Sequence, residues 1–211
     1  MPNWVLNKVC FAGNKNKIKE IKDYLKTEEL EFDFNKILPM PEELNVPASS
    51  DENIARACYK AKLAGEVTVK ELTEYDLQRM SFDEWAALGK KYENNVKKYG
   101  ASNWYDWCIE NWGTKWNACN AEWYGDEYID FDTAWSCPEG IYRKLAQMYP
   151  DVTIEASFAD EDIGNNCGTV LCENGECEIN YVDTIEFACG VWDYDYEDYM
   201  SEYGEENGTE T

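Results

Sequence analysis

Residues 4–12 alternate apolar and polar positions and are rich in Trp, Val and Phe, which predicts a half-buried strand ended by Gly13-Asn14. Ile18, Ile21 and Leu25 then recur at helical spacing, with Lys15, Lys17, Lys19, Lys22 and Lys26 on the wet side. This predicts an amphipathic helix over 15–27. EFDFNKI predicts a second strand at 31–37. A strand–helix–strand unit needs a crossover, so these two strands are expected to run parallel. Pro39, Pro41 and Pro47 punctuate a loop, and the pattern from 51 to 112 is helical. Ile54, Ala57, Cys58 and Ala61 mark one helix face, with Gly65 as its stop. Ser81 with Glu84 forms a capping box ahead of Trp85, Leu88, Tyr92, Val96 and Tyr99, and Gly100 closes that helix. Asn103 caps a short helix ending at Gly113.

Strand patterns resume at 115–123 and 127–134 around a Tyr124-Gly125-Asp126 turn, an antiparallel hairpin. Ser136 with Glu139 makes a second capping box, and Pro138 suits the first turn of the helix behind it. Ile141, Leu145, Met148 and Tyr149 are its inward positions. Residues 152–158 alternate cleanly, and 167–173 and 176–182 form a hairpin about Asn174-Gly175. Residues 184–211 are an acidic, aromatic tail whose first part docks or adds an edge strand and whose last residues are disordered. Strand–helix–strand units at 4–37 and 127–158 give the sequence form of a split β-α-β, ferredoxin-like antiparallel sheet, an α+β fold with extra hairpin strands. The helical stretch 40–112 is an insertion in this domain, which spans 1–183.

Composition changes the picture through charge. The net value is −24, and it is uneven: residues 1–100 carry 16 basic and 17 acidic side chains, residues 101–211 carry 3 and 26. This argues against direct binding of nucleic acid or anionic lipid by the C-terminal half and favours a basic partner. No apolar run reaches 18 residues, so no membrane span is expected, and MPNWVLNKVCFAG does not read as a signal peptide. There is no histidine, the commonest general base and transition-metal ligand. The nine cysteines are scattered. They read as small core residues in a reducing cytosol, although Cys172 and Cys177 flank the Asn-Gly turn and can face each other across it.

MPNWV, FDFNKILPMPEEL, WYDWCIENWGTKWNA, FDTAWSCP and FADEDIGNNCGTV, in that order, resemble the YubB-type ferredoxin-like family of plasmids, phages and prophages. The resemblance covers about 1–45 and 103–183. It implies a ferredoxin-like fold and an accessory role on a mobile element, and it supplies no reaction, cofactor or catalytic residue.

Six of the nine tryptophans fall in 103–136, and Lys115 is one of only three basic residues after position 100. Trp112, Thr114, Lys115, Trp116 and Asn117, with Trp135, are candidates for a pocket in which rings stack on a planar or anionic ligand such as a nucleotide. The bland alternative is tryptophans in the core and a lysine snorkelling to nearby acids. Asp160, Asp162 and Asn165 present oxygen ligands after a strand, but Asp-x-Asp is common, and such residues equally close turns. No metal, cofactor or catalytic residue is assigned, and no P-loop, nucleotide-binding glycine motif or nucleophile elbow is present. The expectation is a non-enzymatic cytoplasmic protein of the bacterial host cell. It binds a basic host defence or nucleic-acid-handling protein through its acidic surface, in the manner of a DNA mimic, or alternatively a nucleotide-like ligand near Lys115.

Overall fold

The computed structural model describes residues 2–203, in two compact units, one formed by 1–39 with 111–211 and the other by 40–110. The first unit holds a six-stranded antiparallel sheet. In chain order its strands are β1 (Trp4–Ala12), β2 (Cys119–Tyr124), β3 (Tyr128–Ala134), β4 (Thr153–Asp160), β5 (Gly168–Glu173) and β6 (Glu176–Tyr181). Their spatial order is β2-β3-β1-β4-β5-β6. The N-terminal strand thus lies in the middle, antiparallel to β3 and β4 on either side. Helices α1 (Lys15–Leu25) and α7 (Glu139–Met148) follow β1 and β3, which makes the split β-α-β pair of a ferredoxin-like sheet. β5 and β6 extend it by one hairpin beyond β4.

One expected strand is not there. Residues 31–37 form a short helix, α2 (Phe34–Ile37), and the second strand of the first β-α-β pair is β2, across the helical insertion. The alternating signal comes from Phe32 and Phe34, both buried edge-on against Phe131. Their backbone is capped rather than laddered. Asp33 accepts from the Asn35 N–H at 2.9 Å, and Asn117 Oδ1 accepts from the Phe34 N–H at 2.8 Å. A strand there would need those donors for a neighbour.

The alternation of β1 and β4 does what it predicts. Val5, Val9, Phe11, Ile154 and Phe158 are buried, as are Ile18, Ile21 and Leu25 of α1 and Ile141 and Leu145 of α7. The second capping box does not form. Ser136 Oγ donates to the Gly113 carbonyl at 2.5 Å, and Pro138 is the N-cap of α7, with no side-chain cap. Met148 is not among the buried positions of α7, and Tyr142 and Ala146 complete the inward stripe instead. At the β5–β6 turn Asn174 and Gly175 both take positive φ (53° and 84°), the left-handed pair that a two-residue hairpin requires. Cys172 and Cys177, opposite one another beside it, are joined as a disulfide, which corrects the all-reduced reading for this pair. Residues 185–203 form two helices, α8 (Ile185–Val191) and α9 (Tyr196–Tyr203), and no edge strand. α8 closes a second small core of Ala159, Ile163, Cys167, Ala188, Cys189 and Val191, with Leu6 packed against it. The expected disorder of the last residues concerns positions outside the described ones.

The second unit contains α3 (Asp51–Leu63), α4 (Glu74–Arg79), α5 (Phe82–Tyr99) and the start of α6 (Trp104–Trp112). The Ser81–Glu84 capping box, the left-handed stop at Gly100 (φ 82°) and the Asn103 cap are all formed. Trp85 and Tyr92 fill its core, where Trp85 Nε1 donates to the Asp76 carbonyl and Tyr92 Oη to that of Pro47. α3 and α5 touch at Gly89, where a Cβ would stand 2.0 Å from the Ala55 carbonyl oxygen. No helix of the described residues is long and apolar enough to cross a membrane.

A buried polar triad fastens α7 to the middle of the sheet. Tyr142 Oη donates to Asn7 Oδ1 at 3.0 Å, Asn7 Nδ2 donates to Thr133 Oγ1 at 3.0 Å, and Thr133 Oγ1 donates to the Ser136 carbonyl at 2.8 Å. All three residues are essentially inaccessible to water. Tyr142→Phe leaves the Asn7 oxygen without its donor and is expected to cost about 1–3 kcal/mol of unfolding free energy in urea titration. A loss within error of zero would show that the triad does not hold the helix.

Candidate functional site

The candidate residues divide sharply in the structure. Lys115 sits between two indoles, its ammonium 4.4 Å from the ring centroid of Trp116 and 4.4 Å from that of Trp135. Trp116 in turn packs at 6.0 Å on Trp4, at the start of β1. Trp135 reaches the lysine through an unusual backbone, φ 71°, a left-handed conformation that strains a bulky residue. Its N–H donates to the Asn3 carbonyl at 3.0 Å, and its own carbonyl accepts from Asn166 Nδ2 at 3.0 Å, which holds it there.

Asp160, at the end of β4, belongs to the same corner. It is buried, and its carboxylate accepts from Asn3 Nδ2 (3.2 Å), Asn166 Nδ2 (3.1 Å) and the Asp162 N–H (2.9 Å). The oxygens that a cation would need thus bind the protein's own donors and close the loop after β4. Asn165 Nδ2 donates to Asp162 Oδ2 at 3.1 Å within that loop, on the solvent side.

The other three candidates each have a hydrogen bond of their own. Trp112 is buried, with its Nε1 donating to the Leu38 carbonyl at 2.8 Å and its ring edge-on to Phe34. Thr114 is fully buried and donates to the Ala134 carbonyl at 2.8 Å. Asn117 bridges the Phe34 N–H and the Asp33 carboxylate. Trp135, from the end of β3, is thus a ring against the lysine together with Trp116. The helix ends at Trp112, and Gly113 after it takes a left-handed φ of 87°.

The sheet face away from α1 and α7 carries much of the charge. Across the paired strands, Glu122, Asp130, Lys8, Ser157, Thr169 and Asn180 form one row. Tyr124, Tyr128, Cys10, Glu155, Leu171 and Glu178 form the next. An open depression of about 720 Å³ lies over this face. Burial pushes the Asp130 and Asp132 carboxyls above their usual range, and neighbouring acids push the same way. Lys8 opposes the shift at Asp130 and donates to Asp193, beyond α8. The buried thiols are held protonated: burial pushes Cys108 up to about 12 and raises Cys137 well above the usual thiol range. They are poor nucleophiles for that reason.

Residues 111–210 match the family model of the ferredoxin-like domain in Api92-like protein. The match begins in the last residues of α6 and takes in both Lys115 and the acidic strands. It leaves out β1, which the N-terminal segment supplies to the middle of the same sheet. Among solved structures, the protein Api92 from Yersinia pseudotuberculosis is similar, with 12% identity, a TM-score of 0.46, and coverage of 86% of this chain and 99% of that one. None of the curated proteins matches.

Sequence reasoning missed two contributors. Trp4 and Asn3 join the corner only because β1 lies beside β3 and β4, a pairing that no local pattern announces. The aromatic and acidic run of 192–203 does carry a signal: Tyr199 and Tyr203 stand at helical spacing, and of the two expectations for this segment, docking or an added edge strand, the second is not met because a helix forms.

Two outcomes follow from the geometry of the corner and the sheet face. Asp160→Asn sets an amide NH₂ against the amide donors of Asn3 or Asn166 and is expected to cost about 1–3 kcal/mol. Lys115→Met removes the cation from between two partly exposed rings and is expected to cost about 0.5–1 kcal/mol. Urea unfolding that ranks them the other way would show the lysine, and not the carboxylate, to be the structural element of this corner. On the sheet face, a carboxyl whose folded pKa is raised penalises the fold when ionised. That penalty is complete above the folded pKa and is relieved as pH falls toward the unfolded value, 3.8 for Asp132. Asp132→Asn should therefore raise the melting temperature at neutral pH and change it little below that value. A gain of equal size at both pH values would remove desolvation as its cause.

Proposed function

We propose that the chain is a non-enzymatic accessory protein of a mobile element that binds a basic host protein, a counter-defence role in which carboxylates stand in for the phosphates of nucleic acid. The observation that carries this reading is the distribution of charge between the two units. The sheet-bearing unit has 30 acidic and 10 basic residues, a net of −20, while the helical unit has 13 and 9, a net of −4. An ordinary soluble surface interleaves both signs, and a net charge of a few units suffices for solubility. A field of one sign concentrated in one unit speeds encounter with a partner of opposite sign and repels nucleic acid itself. The fold supports the same reading: the sheet face away from α1 and α7 is covered in part by α8, about Leu6, and the rest of it carries Glu122, Asp130, Glu155 and Glu178.

The nucleotide-pocket reading gains nothing from the geometry of the lysine. One face of each of these two rings is turned toward Lys115 itself.

The test is capture at low salt from a bacterial lysate, followed by purification of the bound protein and competition with duplex DNA. The expected partner is basic, is displaced by DNA, and is lost steeply as salt shortens the screening length from about 30 Å at 0.01 M to about 8 Å at 0.15 M. A partner that is not displaced by DNA, or whose affinity ignores salt, overturns the proposal.

A further inference from the structure

The segment after α8 builds a groove that the sheet face does not explain. Tyr194 and Tyr199 lie with ring planes 5° apart at 6.4 Å, Trp192 stacks on Tyr194 at 6.3 Å, and Tyr199 meets Tyr203 at 5.2 Å. The three tyrosines line a depression of about 600 Å³ whose polar wall is carboxylate: Glu161 from the loop after β4, Asp193 and Asp195 before α9, and Asp198 and Glu202 on it. α9 presents this mixed face with no residue buried. Asp198 and Glu202 stand four apart, a like-charge pair that weakens an isolated helix. At one end the site already holds a cation, for Lys8 of β1 places its ammonium on Asp193.

We infer that this groove docks an arginine-bearing segment of a basic partner protein, and is where the acidic unit makes its specific contact. The inference rests on the proposed reading of a basic partner and assigns it a place. Charge complementarity selects a cation. Ring faces beside carboxylates select arginine over lysine, because a guanidinium can lie flat on a tyrosine while its fork of N–H donors reaches an acid at the edge. An anion or a nucleic-acid phosphate meets a wall of carboxylates here and is excluded.

The experiment is calorimetric titration of the full chain with an arginine–serine repeat peptide and with its lysine–serine counterpart at low salt. Two double variants remove equal charge: Asp198→Asn with Glu202→Gln in the groove, and Glu122→Gln with Glu155→Gln on the sheet. The groove pair should weaken binding of the arginine peptide about tenfold, the sheet pair by less than about twofold. Tyr203→Ala should erase the preference for arginine over lysine while leaving the charge untouched. All four positions of the double variants are exposed, so the folded state is checked simply by an unchanged urea midpoint. Equal losses from the two double variants overturn the groove and leave the acidic-surface reading standing. Absence of any peptide binding by the parent chain overturns the groove as well, while competition by DNA for the captured partner decides the wider reading separately.

Discussion

The structure depends on one placement: the first strand of the chain lies in the middle of the sheet. β1 donates and accepts along both edges, to β3 and to β4, so neither neighbour has a complete ladder without it. Buried backbone groups must find partners, and here residues 4–12 supply them to strands more than a hundred residues away. Asn7 marks the point where this placement is enforced. Its side chain reaches both Thr133 on β3 and Tyr142 on α7, so the register of β1 and the seating of the helix are set together. A slip of one residue would turn Asn7 to the other face and expose Val5, Val9 and Phe11.

The same placement creates the corner that holds Lys115. Asn3 and Trp4 come with β1, Trp135 follows β3, and Asp160 ends β4. Asn3 is hydrogen-bonded to both Trp135 and Asp160, and Trp4 packs on Trp116. The lysine is held as a cation between rings, and the strained backbone of Trp135 is the cost of putting one ring there. Asp160 serves as a hub for amide donors. This corner packs the junction of three strands.

The net charge follows the topology. The strands that lie at the edges, β2 and β6, and the helices added after β6 carry acids on the side away from the core. Acidic edges also discourage pairing with another sheet. The helical unit, by contrast, balances its acids internally, as in the Arg56 pairs with Glu52 and Glu93 and the Arg79 pair with Asp51.

The sequence by itself determined those features whose cause is local. The alternation of 4–12 and 152–158, the Ser81–Glu84 box, the Gly100 stop and the Asn174-Gly175 turn need only a few neighbouring residues to be satisfied, and each is formed. The charge imbalance is likewise a property of composition. Tertiary structure decided what depends on competition for partners. Residues 31–37 alternate like a strand, yet Asn117, from across the insertion, takes the Phe34 N–H and the slot beside β3 goes to 119–124. Ser136 has the spacing of a cap, yet its hydroxyl goes to the Gly113 carbonyl. Trp135 is remote from Lys115 in the chain, yet the folded chain sets its ring against the ammonium. A donor or a ring takes whichever partner the folded chain brings closest, and spacing along the sequence does not set that distance.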